Sequence, residues 1–243
     1  MISSAQPATY VSASCASAAD RDRLGSRLFT IGHSNHELDR FVSLLGQAGV
    51  AAVADVRSSP FSQRLPQYNQ PELRRALESR RVGYIDLGAE LGGRPRDLGL
   101  YDGDGRVDYF RVRQTSSFRN GLDRLLVGVE QQAIALMCAE EDPLDCHRGL
   151  MICPDLVEKG ICPRHLRGDE SIETTAQFEA RLLDVTGVGR GMLDGLFAAS
   201  ITPQERTELL REACRRQAHR RGFRLPAGAG VAAIDATEEL IGE

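Results

Sequence analysis

The chain has 243 residues, 42% of them hydrophobic, and its 30 basic and 34 acidic side chains leave a net charge of -4. A chain of that length and apolar content can bury a full core, which sets aside a disordered or fibrous protein. The near-balanced charge gives no general attraction to a polyanion, so nucleic acid is not the expected partner, and no apolar run approaches the ~18 residues a membrane helix needs.

Residues 1–26 are rich in Ser and Ala without periodicity and read as a mobile leader; they have neither the basic start nor the apolar stretch of a signal peptide, which points to the cytoplasm. From Arg27 the chain alternates. RLFTIGHS predicts a strand, ELDRFVSLLGQAG a helix with its apolar face on Leu38, Phe41, Val42, Leu44 and Leu45, and AAVADVR a second strand. PELRRALESRR predicts a helix opened by Pro71, and GYIDLGA a third strand. A long loop over 90–108 carries LGGRP and YDGDGR, and its length marks it as a working loop or lid. One helix is expected through YFRVRQTSSFRNGLDRLLVGVEQQ, then the strand AIALMC, a polar stretch, a helix over CHRGLMICPDLVEKG and a strand CPRHLRG. Two helices, TAQFEARLLDVTGV and PQERTELLREACRRQAHRR, close the pattern.

Strands that are apolar throughout and alternate with helices predict an α/β fold: a three-layer, mostly parallel, doubly wound sheet of about five strands with extra C-terminal helices. The expected division is an α/β catalytic-type domain over 27–168, a helical extension over 169–225 and a tail over 226–243. In such a sheet, ligands sit beyond the carboxyl ends of the strands at the switch in strand order. With the order 3-2-1-4-5, His33 from strand one, Asp55 and Arg57 from strand two, and Cys138 and Glu140 from strand four would share one cleft.

The stretch MCAEEDPLDCHRGL over Met137–Leu150 carries the densest chemistry. The six cysteines (Cys15, Cys138, Cys146, Cys153, Cys162 and Cys214) lack the spacing of a disulfide framework, so reduced thiols are expected. A helix beginning near Cys146, capped by Asp145, would favour an anion and lower the pKa of a thiol beside it, with His147 as proton partner. Arg57 and Arg148 offer paired donors for a carboxylate, phosphate or sulfur oxyanion, and Arg94 of the long loop adds another. Simpler roles exist for the same residues: Asp55 and Arg57 as a structural ion pair, His33 bonded to a loop carbonyl, and Cys153 and Cys162 as core.

TIGHSNHELDRFVSLL, ADVRSSPFSQRLPQYN, YIDLGAELGG and LMCAEEDPLDCHRGL resemble, in order and spacing, the family called domain of unknown function 488 (DUF488), over roughly Leu28 to Gly168. The resemblance implies His33, Ser34, Asp55, Arg57, Pro60, Ser62, Cys138, Glu140, Cys146, His147 and Arg148 as signature positions, without supplying a reaction. Tyr68 stands where the family has Phe, and the family's histidine after the last strand has no counterpart near Thr174. The segment from Ala135 to Gly168 is also similar, more loosely, to the active loop of rhodanese-like domains.

Three functional readings stay open at this point. The first is a cytosolic thiol-based enzyme, a transferase or hydrolase, acting on a small anionic or nucleotide-like substrate. Its catalytic set is Cys138, Cys146, His147, Glu140, His33 and Asp55, with Arg57, Arg148, Ser34, Ser62 and Arg94 binding substrate. The second is a metal-dependent enzyme in which Cys138, Cys146, His147 and His33 hold iron, zinc or copper, with Glu140 or Asp55 either supporting those ligands from behind or serving as a ligand itself. The third is a non-catalytic redox sensor or binding module.

Overall fold

The computed structural model describes residues 17–190 and 201–226. It is an α/β fold in which a six-stranded sheet of order β3-β2-β4-β1-β5-β6 is parallel except for its last strand. The strands are β1 (Leu28–Gly32), β2 (Ala52–Asp55), β3 (Gly83–Asp86), β4 (Ile134–Cys138), β5 (Arg164–Leu166) and β6 (Ile172–Glu173).

Side-chain alternation along the central strands explains why these runs are apolar throughout. Leu28, Ala52, Ala54, Ile134, Leu136 and Cys138 feed one core, and Phe29, Ile31, Val53, Ala135 and Met137 feed the other. A strand covered on both faces has no polar side to show. Helices α2 (Leu38–Gln47) and α3 (Gln70–Ser79) cover one face with Phe41, Leu44, Leu45, Leu73 and Leu77. On the other face, α6 (Ser116–Gln131) and α8 (Thr175–Thr186) bring Leu122, Leu125, Leu126, Phe178 and Leu182, and α9 (Pro203–Arg221) brings Ala213, Cys214 and Ala218.

The strand order departs from the expected 3-2-1-4-5, because β4 lies between β1 and β2. Leu28 and Ala52 both register with Ile134, and Asp55 registers with Met137. β1 and β4 are neighbours, as expected, but β1 and β2 are not. β1, β2 and β4 are apolar on both faces alike, so nothing local marks which of them is a strand's lateral neighbour. The consequence is a cleft centred on β4, with the end of β1 on one side and the end of β2 on the other.

Other boundaries shift for identifiable reasons. Helix α1 (Ala18–Arg27) occupies the end of the expected leader, opened by a capping box between Ser17 and Asp20 and anchored by buried Leu24; residues 1–16 lie outside the described residues, as does the expected tail beyond 226. The single helix expected over 109–132 is two, α5 (Tyr109–Gln114) and α6, since Thr115 turns extended and its Oγ1 accepts the Phe118 N–H at 3.2 Å. The long loop contains the single turn α4 (Gly88–Leu91) and a bridge between Tyr101 and Val107. Cys153 is buried, whereas Cys162, expected in the core, is exposed and precedes β5. Among the described residues no helix is long and apolar enough to cross a membrane.

Candidate functional site

Strand β4 ends at Cys138, and the chain then runs through Glu140 and a short turn, Pro143–Asp145, before Cys146 and His147. The helix expected near Cys146 begins at His147 (φ -60°, ψ -27°), Cys146 itself being extended (φ -131°, ψ 143°). It opens as a π-helical turn over Arg148–Ile152 and continues as α7 (Cys153–Glu158). Asp145 does not cap it: Asp142 caps the preceding turn through the Leu144 N–H at 2.9 Å, while Asp145 pairs with Arg221 at 3.0 Å. π-turns of this kind recur at functional sites because they re-aim side chains within a helix.

Arg148 is fully buried and holds the loop in place. Its Nη1 donates to the Glu140 carbonyl (2.6 Å), its Nη2 to the Glu141 carbonyl (2.7 Å) and its Nε to Thr30 Oγ1 (3.3 Å). Its guanidinium is therefore turned to the protein's own backbone rather than open as an anion clamp. The same loop crosses β1 at Gly32, where a Cβ would lie 1.9 Å from the Glu140 carbonyl oxygen, so only glycine admits the crossing.

The result is a compact cluster. One ligand-type atom from each of Cys138, Glu140, Cys146 and His147 lies within 4.8 Å of the others. Cys138 Sγ is 2.9 Å from Glu140 Oε2 and 3.5 Å from His147 Nδ1, and Cys146 Sγ is 3.8 Å from the same nitrogen. His147 Nε2 lies 2.9 Å from the Val56 carbonyl, which can only accept, so Nε2 carries the proton and Nδ1 faces the two sulfurs. Gly93 packs flat against this ring: a Cβ there would sit 2.7 Å from His147 Cγ.

The two thiols have opposite leanings. Burial, the hydrogen bond shared with Cys146 and the charge on that sulfur push the Cys138 thiol well above its usual range. Burial pushes Cys146 up as well, but the Cys138 hydrogen bond, Arg148 and His147 outweigh it and hold Cys146 well below. The Arg148 N–H also donates to Cys146 Sγ at 3.4 Å. Burial opposes charge on His147, yet the neighbouring Cys146 sulfur and Glu140 raise its pKa. Loss of water and the Cys146 charge raise Glu140.

Residues 37–152 match the model of the family described as Domain of unknown function DUF488. The chain carries a DUF488 domain. No curated protein and no solved structure matches it, and the rhodanese-like similarity gains no support from these comparisons.

The remaining candidate residues form a layer beside the cluster of the DUF488 domain, with His33 and Ser34 lying just ahead of the matched segment. Arg57 reaches Asp55 through Nε (2.9 and 3.2 Å) and Nη2 (2.7 Å), the Tyr68 carbonyl through Nη2 (2.8 Å) and His33 Nε2 through Nη1 (3.3 Å). Asp55 also accepts from Tyr84 Oη at 2.7 Å. His33 donates from Nδ1 to the Ser34 carbonyl (2.8 Å) and stacks on Tyr68 (4.1 Å between centroids); burial and Arg57 lower its pKa to about 4. Its ring nitrogens are thus taken up away from the sulfurs, and Glu140 stands in the cluster where His33 was expected. Ser34 lies in the left-handed region (φ 47°) with its N–H on the Ala139 carbonyl, and Ser62 Oγ caps its own loop by accepting from the Leu65 N–H at 3.2 Å.

A pocket of about 100 Å³ opens on the cluster. Cys138, Glu140 and His147 line it together with Arg57, Arg94, Tyr109, Arg221 and Phe223, whereas Cys146 is not among the lining residues. Tyr68, Tyr109, Arg221 and Phe223 were not among the sequence candidates for this site. The departure from Phe at position 68 was the one available signal: the added hydroxyl donates to the His36 carbonyl at 3.0 Å.

Proposed function

We propose that the DUF488 domain is a metal-dependent enzyme in which Cys138, Cys146 and His147 hold a transition-metal ion, zinc foremost, with Glu140 at the fourth, pocket-facing position. The observation that carries this reading is the convergence of four donor atoms within 4.8 Å around an imidazole whose other nitrogen is tied to the Val56 carbonyl. Backbone-anchored imidazoles of this kind are the usual support of a metal-bound histidine, and two thiolates with one imidazole suit zinc, iron or copper over magnesium. Three permanent ligands and a displaceable carboxylate fit a catalytic site better than a closed structural one.

A bound ion would supply Lewis acidity at the floor of the pocket. Around it, Asp55, Arg57 and His33 brace the strand ends, and Arg148 fixes the loop that carries Glu140. A thiol-centred enzyme is the second reading, favoured by the contact of Cys138 with the pocket. It ranks lower because Cys146, the sulfur that accepts the Arg148 N–H, does not reach the pocket lining.

Elemental analysis of freshly purified protein tests the choice. One equivalent of transition metal in the wild type and its loss from Cys146→Ser and His147→Ala support the metal reading. Metal-free protein with a cysteine that iodoacetamide alkylates faster than a model thiol would replace it with the thiol reading.

A further inference from the structure

Two of the three guanidiniums that line the pocket are already paired with carboxylates, Arg57 with Asp55 and Arg221 with Asp145. Arg94 differs. Its backbone N–H donates to Ser58 Oγ at 2.9 Å and its guanidinium lies over the Phe223 ring, 4.8 Å from the centroid, yet its Nη1 is buried without a hydrogen-bond partner. A guanidinium N–H taken from water without an acceptor is costly, and such a group becomes favourable when an oxygen of a ligand completes it.

Phe223 is itself held from two directions. Its carbonyl accepts the Val107 N–H at 3.0 Å, and the Leu225 N–H donates to the Gly105 carbonyl at 2.8 Å, so the segment after α9 is laced to the loop around YDGDGR. That segment lies beyond the residues that match the family model. The stack on Phe223 therefore positions Arg94 by means of a part of the chain outside the matched DUF488 region.

We infer that the pocket takes a small oxyanion-bearing molecule, one of whose oxygens is received by Arg94 Nη1, with Phe223 as the positioning residue for that arginine. This deepens the metal-centre reading and rests on it for the claim that the pocket is the working face. A volume of about 100 Å³ is well below the ~300 Å³ at which pockets for drug-sized ligands begin, so the occupant is a compact anion and not a nucleotide.

Calorimetric titration of the metal-loaded full chain with inorganic phosphate, and separately with acetate, tests this and separates phosphoryl-type from carboxylate chemistry. We expect a dissociation constant on the order of 1 mM or tighter for at least one anion. Arg94→Gln should weaken it at least tenfold and Phe223→Ala several-fold, with metal content unchanged in both, while Arg94→Lys retains part of the binding. Absence of binding by either anion, or equal affinity in wild type and Arg94→Gln, overturns the inference while a full metal complement leaves the centre standing. Anion binding that depends on Arg94 in a chain that takes up no metal supports the anion site and removes the centre beneath it.

Discussion

His147 Nε2 and the Val56 carbonyl oxygen, 2.9 Å apart, join the turn after β4 to the end of β2, and this one hydrogen bond decides which face of the imidazole meets Cys138 and Cys146. Because the anchor is a backbone carbonyl, the orientation persists whether or not an ion is bound. The cluster should therefore take up metal without rearrangement, and metal should stabilise the fold. An ion at a hundred times its dissociation constant adds about 2.7 kcal/mol to a single-site protein. Stripping with a chelator should lower the thermal midpoint of the wild type, and adding back zinc should restore it. In His147→Ala both changes should vanish; a midpoint indifferent to chelator in the wild type would argue against an occupied centre.

The charge of Arg148 suggests an anion-binding role, but its position gives it a mechanical one. Its two Nη groups satisfy the consecutive carbonyls of Glu140 and Glu141, a forked geometry that lysine cannot reproduce. Arg148→Lys should leave at least one of those carbonyls short of a donor and cost about 2 kcal/mol, within the range for hydrogen bonds to charged groups. Urea denaturation measures the loss. If Arg148 instead served as an anion clamp, the lysine variant would keep its stability and lose only ligand affinity.

The layered fold was legible because β1, β2 and β4 are short, apolar and separated by amphipathic helices. Their lateral order was not, since Ile31, Val53 and Met137 present the same kind of side chain to the same core. Cys138, Cys146 and His147 were legible as a group because a strand end and the start of a turn put them within nine residues of one another. What surrounds them was not. The Val56 carbonyl is a backbone atom with no sequence signature, His33 is drawn off by Arg57 and Ser34, and Arg221 and Phe223 arrive from a segment far along the chain.

Two glycines should respond in opposite directions to the same substitution. At Gly32 an added Cβ would stand 1.9 Å from the Glu140 carbonyl oxygen, and backbone on both sides cannot yield cheaply. Gly32→Ala should be strongly destabilising and should lower metal content, because it displaces the residue that completes the cluster. Gly46 sits exposed in α2, and a Cβ added there would meet nothing within 4 Å. Gly46→Ala should stabilise by about 0.5–1 kcal/mol through reduced freedom of the unfolded chain. Denaturation midpoints of the two variants moving the same way would contradict the proposed loop crossing.

His165 should make the fold acid-sensitive well above the usual carboxylate range. It is buried beside Phe178 with Nδ1 2.8 Å from Thr30 Oγ1; burial, then Arg148, Arg167 and Arg181, lower its pKa to about 3, against the partial opposition of Asp142. The folded state therefore keeps this imidazole neutral, whereas the unfolded chain protonates it below about 6.5. The unfolded state binds the extra proton, so the contribution is fully present above pH 6.5 and is lost as pH falls towards 3. While that one-proton difference lasts, the slope is about 1.4 kcal/mol per pH unit. His165→Asn, whose side-chain amide can still meet Thr30, should show a shallower decline in unfolding free energy between pH 6 and 4 than the wild type. Parallel curves for the two proteins across that interval would show that His165 is already protonated in the fold.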